Sequence, residues 1–381
     1  MSFSSLNLIP ALTKTADKLG YTEPTPIQTA AVPEILKGSD VLAIAQTGSG
    51  KTAAFVLPIL QAFQTKKPSR NRFIKTLVLV PTRELAMQVG EVFAAFSTKN
   101  LKRSVKSMAV FGGVSINPQM MHLHNVEVLI ATPGRLLDLL EHRALHLSDL
   151  DTLVLDEADK MLNMGFRDEM ARIFALLPEK RQNLLFSATL SPDISALSTL
   201  ILQNPITIEI TAETENTDLI AQTAYHTTEA RKGPLLRYLI KKNDLKQVLI
   251  FASSIHKADS IVRKLKQNGI SALAIHSEKS QGARTEALRY FKTGEINVLV
   301  ATDLVSRGID IPNLPTVINY ELPRSPKDFI HRIGRTGRAG AAGAAISLLT
   351  EDDLTHFSVI EKKMQQRIER VETEDFNLHG F

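Results

Sequence analysis

Short, uninterrupted apolar runs recur along this 381-residue sequence and constrain its fold more than any other feature. Such runs, rich in β-branched residues and without polar alternation, are typical of strands covered on both faces in a parallel sheet. Helical patterns lie between them, such as Arg83 to Phe96, Gly134 to Glu141 and Lys257 to Asn268, and this alternation favours βαβ units. We therefore predict an α/β fold with mostly parallel sheets flanked by helices. The predicted strands are 41–45, 76–80, 126–131, 153–155 and 184–186, then 247–252, 270–275, 296–301, 316–320 and 344–349.

The succession of runs stops at residues 209–218, whose sequence EITAETENTD is acidic, rich in threonine and without any basic residue. A chain of this length is expected to form two domains of roughly 150 residues or more each. We predict an N-terminal domain over 1–208, a short linker over 209–218 and a C-terminal domain over 219–381.

Composition excludes several classes of protein. The chain has no cysteine, which excludes disulfides and thiolate metal sites and fits a reducing cytoplasm. The N-terminus lacks a basic region followed by an apolar run, and no stretch approaches about 18 consecutive apolar residues, so we expect neither export nor membrane insertion. The formal net charge of +5 is small for this length, and both halves carry a slight basic excess that would attract a polyanion weakly.

A glycine-rich segment follows the first predicted strand and precedes a helical pattern. In this context, backbone N–H groups of the turn and of the helix N-terminus can surround phosphate oxygens, Lys51 can reach the β and γ phosphates, and Thr52 can ligate Mg²⁺. A glycine-rich turn without a ligand is the alternative interpretation. The segment consists of Ala45, Gln46, Thr47, Gly48, Ser49, Gly50, Lys51 and Thr52.

Two carboxylates, Asp156 and Glu157, come directly after the apolar strand 153–155. Ligand sites of parallel sheets lie at the carboxyl ends of the strands. Asp156 is suited to hold Mg²⁺ and Glu157 to orient or deprotonate an attacking water. A solvated strand end is the alternative, but the phosphate-loop pattern upstream favours catalysis.

Three arginines, Arg332, Arg335 and Arg338, are spaced by three in the segment HRIGRTGR of the second half. Guanidinium groups suit phosphate oxygens, and an arginine delivered at the transition state of phosphoryl transfer can raise the rate by ~10³ to 10⁵. The alternative is a solvated basic helix end. Because only the first half has a phosphate-loop pattern, we expect one nucleotide per chain, with Arg335 and Arg338 completing its site.

In their order along the chain, these segments and several others resemble the motifs of DEAD-box ATP-dependent RNA helicases of superfamily 2. The resemblance spans residues 3 to about 350 and implies two tandem RecA-like domains. The segments SQGARTEAL and DEADKMLNMGF are most similar to those of the bacterial RhlE-type branch. The matching segments are Phe3, GY at 20–21, PTPIQ at 24–28, AQTGSGKT at 45–52, PTRELA at 81–86, GG at 112–113, TPGR at 132–135, DEAD at 156–159, SAT at 187–189, Gln281 with Arg284, ATD at 301–303, RGID at 307–310 and HRIGRTGR at 331–338.

The resemblance implies contacts to ATP beyond the phosphate loop. Residues 3–28 would form the Q motif, in which Gln28 pairs with the adenine edge, Tyr21 stacks on the ring and Phe3 packs nearby. Gly308 and Asp310 would lie at the nucleotide, with Asp310 reaching the ribose.

The resemblance also implies an RNA surface and a link between the two sites. Contacts to phosphates and to the 2′-OH would favour RNA over DNA, with little sequence preference. Asp159, Ser187 and Thr189 would couple the ATP and RNA sites, with His331 as their partner in the second domain. The implied RNA-binding residues are Pro81, Thr82, Arg83, Gly112, Gly113, Thr132, Gly134, Arg135, Gln281, Arg284 and Thr302.

Two segments depart from the pattern of the family. His276-Ser277-Glu278 stands where His-Gly-Asp or His-Gly-Asn is common, and Val305-Ser306 stands where alanines are common. Neither removes a catalytic group. The chain also lacks the basic tail of many relatives, and the sequence does not tell whether such an extension is absent naturally or truncated.

We therefore expect a monomeric, cytoplasmic RNA-dependent ATPase that uses ATP and Mg²⁺ and separates short RNA duplexes locally as its two domains close. An ATP-gated RNA clamp, or a factor that remodels or assembles ribonucleoproteins with little unwinding, is the first alternative, and a DNA helicase is the second. Protein partners from ribosome assembly or RNA decay are compatible with this function. The sequence does not specify the biological RNA.

Overall fold

The computed structural model describes residues 2–46, 48–66, 70–98, 101–210, 220–303, 314–337 and 342–381. The chain divides into two compact units, residues 1–212 and 213–381, and this division falls inside the predicted linker. Glu209, the first residue of that predicted linker, is the last residue of a strand of the first unit. None of the helices in the described ranges is long and apolar enough to cross a membrane.

The first unit is built on a seven-stranded sheet in which all strand pairs are parallel, in the order β3-β4-β2-β5-β6-β1-β7. A short 3₁₀ helix over Phe3–Leu6 precedes these elements. The strands are β1 Val41–Ile44, β2 Thr76–Leu79, β3 Ser107–Val110, β4 Val128–Ala131, β5 Thr152–Leu155, β6 Gln182–Ser187 and β7 Ile206–Glu209. The helices are α1 Pro10–Lys18, α2 Pro26–Leu36, α3 Lys51–Phe63, α4 Arg83–Phe96, α5 Ile116–His122, α6 Pro133–Glu141, α7 Ala158–Asn163, α8 Arg167–Phe174 and α9 Pro192–Ile201.

The second unit repeats this architecture with a parallel sheet in the order β10-β11-β9-β12-β13-β8-β14. A 3₁₀ turn over Glu351–Asp353 follows β13. The strands are β8 Ile220–His226, β9 Val248–Ala252, β10 Ala272–Ile275, β11 Val298–Thr302, β12 Thr316–Asn319, β13 Gly343–Leu349 and β14 Glu369–Glu372. The helices are α10 Glu229–Lys242, α11 Ile255–Gln267, α12 Gln281–Lys292, α13 Pro326–Ile333 and α14 Leu354–Met364. The predicted α/β class with parallel sheets is confirmed.

The continuous apolar runs are explained by helices on both faces of each sheet. In β1, Val41 and Ala43 belong to one core cluster, whereas Leu42 and Ile44 belong to the other. Successive side chains of a strand point to opposite faces, so a strand buried on both faces is apolar at every position. The second unit has the same arrangement, with separate core clusters on the two faces of β9.

The helices form where amphipathic spacing coincides with a capping residue. Helix α11 buries Ala258, Ile261, Val262 and Leu265, a spacing that lines one face of a helix. Ser254 precedes this helix, and its hydroxyl accepts a hydrogen bond from the Lys257 N–H at 3.2 Å. Burial of the apolar face fixes the helix against the sheet, and the cap fixes where it begins.

Candidate active site

The predicted nucleotide residues of the first unit converge on one edge of its sheet. Ala45 follows β1, Asp156 follows β5 and Ser187 ends β6, and these three strands are neighbours. The Ala45 N–H donates to the Ser187 carbonyl at 3.0 Å, which extends the pairing of β1 and β6 into the loop. Residues separated by more than 100 positions are thus brought together because parallel strands end at the same edge.

The phosphate loop turns tightly between β1 and α3. Gly48 and Gly50 have φ angles of 86° and 91°, values that glycine adopts without steric cost. The Ser49 hydroxyl donates to the Gln46 carbonyl at 2.8 Å, and α3 begins at Lys51, directly after Gly50. Thr47, predicted as part of this loop, lies outside the described residues. The loop and the first turn of α3 have the strand-loop-helix form that the sequence predicts for phosphate binding.

Lys51 is held inside this loop. Its ammonium donates to the Ala45 carbonyl at 2.5 Å and to the Gln46 carbonyl at 3.2 Å, and the residue is only 6% exposed. Burial lowers the pKa of the Lys51 ammonium, while the nearby Asp156 and Glu157 carboxylates oppose that shift. The cation thus occupies an enclosed polar site next to two acidic side chains, where a polyphosphate would meet a weakly hydrated positive charge.

Asp156 is almost fully buried at the end of β5. Burial raises the pKa of its carboxyl to about 6, although the charge of Lys51 and a hydrogen bond from the Glu157 N–H oppose the increase. That N–H donates to the Asp156 carboxylate at 2.9 Å. At neutral pH the carboxylate is therefore ionised at a substantial energetic cost, which a bound cation would offset.

Glu157 has an unusual backbone and one unused carboxylate oxygen. Its φ and ψ of 54° and 46° lie in the left-handed region, which glutamate rarely adopts. Its Oε1 accepts from the Lys160 ammonium at 2.6 Å, whereas the buried Oε2 has no hydrogen-bond partner in the described part of the chain. A strained backbone that presents an unpaired buried acceptor is typical of a functional position.

Gln28 joins the N-terminal segment to the phosphate loop. It is 1% exposed, its Oε1 accepts from the Thr25 N–H at 3.0 Å, and its Nε2 donates to the Gly50 carbonyl at 3.0 Å. A glutamine amide has two N–H donors and two acceptor positions, so one of each remains for an adenine edge. Its predicted role in adenine recognition stays a prediction, and its contact with the loop is an additional, structural role.

Tyr21 and Phe3 form an aromatic cluster in the first unit. Their rings pack edge to face with centroids 6.2 Å apart, and Tyr21 also packs against Phe96 at 5.4 Å. Phe3 is 2% exposed and belongs to the core. Phe3 is therefore a core residue that packs against Tyr21, and its predicted place near the nucleotide stays a prediction.

The predicted RNA residues of the first unit lie at the carboxyl ends of β2, β3 and β4, on the same edge of the sheet as the nucleotide residues. Pro81 and Thr82 follow β2, Gly112 and Gly113 follow β3, and Thr132 follows β4. Thr82 caps α4, since its hydroxyl accepts from the Leu85 N–H at 3.3 Å. Gly134 lies in the first turn of α6.

The two predicted RNA-binding arginines of this unit are anchored differently. Arg83 lies against Gly113, which has a φ of 72°, and a Cβ at Gly113 would come within 2.1 Å of the Arg83 guanidinium. Arg135 is 7% exposed, and its Nη2 donates to the Val114 carbonyl at 2.8 Å. The buried Arg135 Nη1 has no partner within the described ranges, so it retains a donor for a phosphate.

The predicted coupling residues of the first unit form a chain of hydrogen bonds. The Thr189 hydroxyl donates to the Asp159 carboxylate at 3.3 Å, and the Ser187 hydroxyl donates to the Thr189 carbonyl at 2.8 Å. Asp159 also accepts from the Lys160 N–H at 3.0 Å. Helix α7, which follows the two catalytic candidates, is thus connected to the end of β6.

The corresponding RNA candidates of the second unit also lie at strand ends. Gln281 and Arg284 are both largely buried in the first turn of α12, which follows β10, and Thr302 ends the adjacent strand β11. His331 and Arg335 lie at the end of α13, with Arg335 8% exposed. Gly308, Asp310 and Arg338, as well as Val305-Ser306, lie outside the described residues.

Sequence reasoning did not identify the role of Arg332, which lies between His331 and Arg335 in sequence. Its guanidinium donates to both carboxylate oxygens of Asp303, at 2.6 and 2.7 Å, to the Asn319 side-chain oxygen at 3.0 Å and to the Glu321 carbonyl at 2.7 Å. These bonds tie α13 to the ends of β11 and β12. The three-residue spacing of the arginines could not distinguish this structural arginine from a phosphate ligand.

Lys160 is a second residue whose contribution the sequence analysis missed. It lies three positions after Glu157, a spacing that places both side chains on one side of a helical turn. The ion pair at 2.6 Å is largely buried and holds one oxygen of the Glu157 carboxylate. That spacing was the one available signal.

Comparison with known proteins agrees with this arrangement. Residues 25–197 match the DEAD/DEAH box helicase family, and residues 231–340 match the helicase conserved C-terminal domain. The DEAD-box ATP-dependent RNA helicase CshA of Streptococcus pneumoniae is 39% identical over 97% of this chain and 69% of its own length. The DEAD-box ATP-dependent RNA helicase RhpA of Helicobacter pylori is 40% identical over 99% of this chain and 75% of its own length.

A comparison with solved structures also finds similarity to this family of helicases. Dbp5 of S. cerevisiae, bound to RNA and ADP BeF3, superimposes with a TM-score of 0.84 at 31% identity, over 100% of this chain and 97% of that one. The fold, the two matched domain families and the extent of sequence identity together show that this chain, with its two RecA-like units, belongs to the DEAD-box family of ATP-dependent RNA helicases.

Proposed function

We propose that this chain hydrolyses ATP in an RNA-dependent manner and uses the cycle to separate short RNA duplexes locally. The observation that carries the proposal is the shared edge of the first sheet. Nucleotide residues follow β1, β5 and β6, RNA candidates follow β2, β3 and β4, and β2 lies directly beside β5. Occupation of one site is therefore transmitted through adjacent strand ends to the other.

The nucleotide would lie over the phosphate loop. Lys51 would exchange its bonds to the loop carbonyls for bonds to the β and γ phosphates, because a charged phosphate oxygen is a stronger partner for an ammonium than a neutral carbonyl oxygen. Gln28 would use its remaining donor and acceptor to select adenine, and Tyr21 would stack on the base. Gly308 and Asp310 are proposed to complete the part of the ATP site that contacts the ribose.

The residues at the end of β5 fit a magnesium ion. Asp156 is a buried carboxylate with a raised pKa, and Thr52 is a partly exposed hydroxyl at the start of α3. Magnesium is commonly held by one or two carboxylates and the substrate phosphates, and no cluster of three or more acidic or histidine ligands occurs among the described residues. We assign Asp156 and Thr52 as its ligands, where the ion would neutralise developing phosphate charge.

Glu157 is the proposed base or water-orienting group. Its Oε1 is fixed by Lys160, so the carboxylate cannot rotate freely, and its unpaired Oε2 is available to accept from a water. A positioned acceptor of this kind holds the nucleophile in line with the γ phosphate. The Asp159–Thr189–Ser187 chain would report the state of this site to the end of β6.

RNA binding is proposed to depend on backbone contacts. Arg83, Arg135 and Arg284 would donate to phosphates, and contacts to the 2′-OH would favour RNA. Such binding weakens steeply as salt concentration rises and shows little sequence preference. We further propose that joint binding of ATP and RNA closes the two units and brings Arg335 and Arg338 to the nucleotide, so that hydrolysis depends on RNA.

Substitution of Glu157 by glutamine tests this assignment. Glu157→Gln keeps the size of the side chain and removes the basic oxygen, so we expect ATP and RNA binding to persist while turnover falls by a factor of about 10² to 10⁴. RNA-stimulated ATPase and equilibrium binding are measured on the same preparations. Glu179→Gln, at an exposed position between α8 and β6, is the matched control. Full turnover in Glu157→Gln would refute the role of this residue.

Strand displacement then distinguishes unwinding from clamping. A helicase separates a short RNA duplex in an ATP-dependent reaction, whereas an ATP-gated clamp hydrolyses slowly and displaces little. The DNA alternative is tested by measuring ATPase activity with single-stranded DNA in place of RNA. Stimulation of the ATPase activity by DNA alone is incompatible with the proposal.

We propose that the chain belongs to the RhlE-type branch of the family. The segments SQGARTEAL and DEADKMLNMGF support this assignment. We also propose a cytoplasmic location, which fits the absence of cysteine, and a monomeric state. Protein partners are proposed to come from ribosome assembly or RNA decay.

A further inference from the structure

A cavity of about 590 Å³ lies in the second unit, and its lining includes none of the RNA candidates and no residue of α13. It is bordered by the residues that follow β8 and β13 and by the end of β14, three neighbouring strands. The carboxyl ends of parallel strands are where ligands of open α/β sheets bind. None of the functional residues assigned above lines this cavity.

The position of the cavity repeats the position of the phosphate loop. In the first sheet, β1 lies between β6 and β7, and in the second sheet β8 lies between β13 and β14. A helix follows β1 and β8 in each unit, α3 in the first and α10 in the second. The cavity is therefore the counterpart, in the second unit, of the nucleotide site of the first.

The cavity of the second unit is acidic, whereas the nucleotide site of the first unit contains a buried lysine. Five carboxylates line the cavity, whereas the phosphate loop presents Lys51. Arg231 also lines the cavity. Its Nη2 donates to the carbonyls of Thr373 and Phe376 at 2.6 and 3.1 Å, and its buried Nε has no hydrogen-bond partner in the described part of the chain, so a single guanidinium accompanies five carboxylates. The cavity is thus unsuited to a phosphate and suited to a cation. The five carboxylates are Glu229, Glu351, Asp352, Glu372 and Glu374.

Several of these carboxylates have no counter-charge of their own within the described residues. Glu229 pairs with Lys257 at 2.6 Å. Glu351 and Glu372 both approach His226, at 3.2 and 2.8 Å, and a single imidazole between two carboxylates neutralises at most one of them. The side chains of Glu351 and Glu372 are 83% and 68% exposed, so both can turn toward a ligand.

A buried hydroxyl provides a second, independent indication of a ligand. Thr227 lines the cavity and is 7% exposed, and its Oγ1 has no hydrogen-bond partner in the described part of the chain. A buried polar atom without a partner is costly, and such atoms in folded proteins usually have a reason. An N–H donor of a bound molecule would satisfy it.

We propose that this cavity binds an aliphatic polyamine. Carboxylates on three separate strand ends suit a ligand with several positive charges spaced along a chain, and each ammonium carries the N–H donors that carboxylates and the Thr227 hydroxyl accept. Threonine methyl groups would contact the methylene segments. The volume is in the range of small-molecule sites, and a bare metal ion is disfavoured because no described residues form a cluster that would ligate one. The threonines that line the cavity are Thr227, Thr228, Thr350 and Thr373.

Equilibrium dialysis of radiolabelled spermidine against the full chain tests the proposal, without ATP or RNA and at physiological ionic strength. The result is thereby independent of helicase activity and of polyamine bound to RNA. We expect saturable binding of one equivalent. The double variant Glu351→Gln/Glu372→Gln should weaken it by about threefold to twentyfold, the range for loss of two partly exposed ion pairs.

A matched variant separates a site from general attraction. Asp244→Asn/Glu286→Gln removes the same charge from exposed positions of the second unit outside the cavity, and it should change binding less than about twofold. Thr227→Val should also weaken binding, while the melting temperature stays constant or rises because an unpaired buried hydroxyl is removed.

Four results would overturn the proposal. One is the absence of saturable binding. Another is an equal loss of affinity in the two double variants, which indicates a diffuse cation atmosphere. The third is displacement of spermidine by Mg²⁺ at equal charge concentration, which indicates a simple cation site. The last is tighter binding of a lysine-rich peptide than of spermidine with the same sensitivity to the variants, which identifies a protein segment as the occupant.

Discussion

The buried carboxylate of Asp156 should make the first unit less stable at neutral pH than at acidic pH, and Asp156→Asn should remove this effect. Folding raises the pKa of this carboxyl from its ordinary value of 3.8 to about 6. Well below pH 3.8 the carboxyl is protonated in both the folded and the unfolded chain, so it imposes no cost. Between these two pKa values the unfolded chain ionises while the folded chain stays protonated, and the cost to the folded state grows. Above about pH 6 the cost is complete.

The size of the effect follows from the two pKa values. A difference of this size corresponds to about 3 kcal/mol at 25 °C, because one pKa unit is worth about 1.4 kcal/mol. The amide of the Asp156→Asn variant has no charge to bury, so the stability of the variant relative to the natural chain should rise by up to about 3 kcal/mol between about pH 3 and pH 7 and then level off. The variant should at the same time lose ATPase activity, since the proposed magnesium ligand is gone.

Native-state hydrogen exchange, detected by mass spectrometry, measures the stability of the first unit alone in the variant and in the natural chain. Peptides from β1 and β5 report the free energy of opening of the unit, and the measurement is repeated in steps across the pH range. Asp17→Asn, at an exposed position of α1, is the control and should show no pH-dependent difference. A stability difference between Asp156→Asn and the natural chain that stays constant with pH, or falls as pH rises, would refute the reasoning.

Three further substitutions test other parts of the site. Arg332→Lys cannot reproduce the two parallel bonds to Asp303, so we expect a loss of about 2 to 4 kcal/mol in urea unfolding of the second unit and a lower RNA-stimulated ATPase rate. Gly113→Ala places a methyl group at a positive φ and against the Arg83 guanidinium, which should cost about 1 to 2 kcal/mol in thermal unfolding and weaken RNA binding in a filter assay. Gln28→Ala removes the amide that donates to the phosphate loop, so the KM for ATP should rise while RNA binding without nucleotide is unchanged.

Continuous apolar runs were enough to predict the class of fold and most of the strands. All ten predicted strands are present, with ends that differ by one or two residues, because a strand buried on both faces must be apolar at every position. The phosphate loop was equally readable, since Gly48 and Gly50 are required by the positive φ angles of the turn. Such local requirements leave a signature in consecutive residues.

Four strands at or beside a sheet edge, β3, β7, β8 and β14, were not predicted by the same reasoning. β14, with the sequence ERVE, is largely exposed and charged, and β3 and β8 mix polar with apolar residues. Their strand conformation depends on pairing with a neighbour distant in the chain, as when β14 pairs with β8. A periodicity of apolar residues carries no information about such a partner.

Tertiary structure alone decided which polar residues meet. The bond of Arg332 to Asp303, the bond of Gln28 to Gly50 and the acidic cavity beside β8 all join segments that lie apart in sequence. The sequence shows which side chains carry charge or hydrogen-bonding groups, but the order of strands in the sheet determines which of them share an edge. That order is set by packing and chain connectivity across the whole unit. The sequence could therefore indicate which functional groups the site contains, but not which of these groups contact each other.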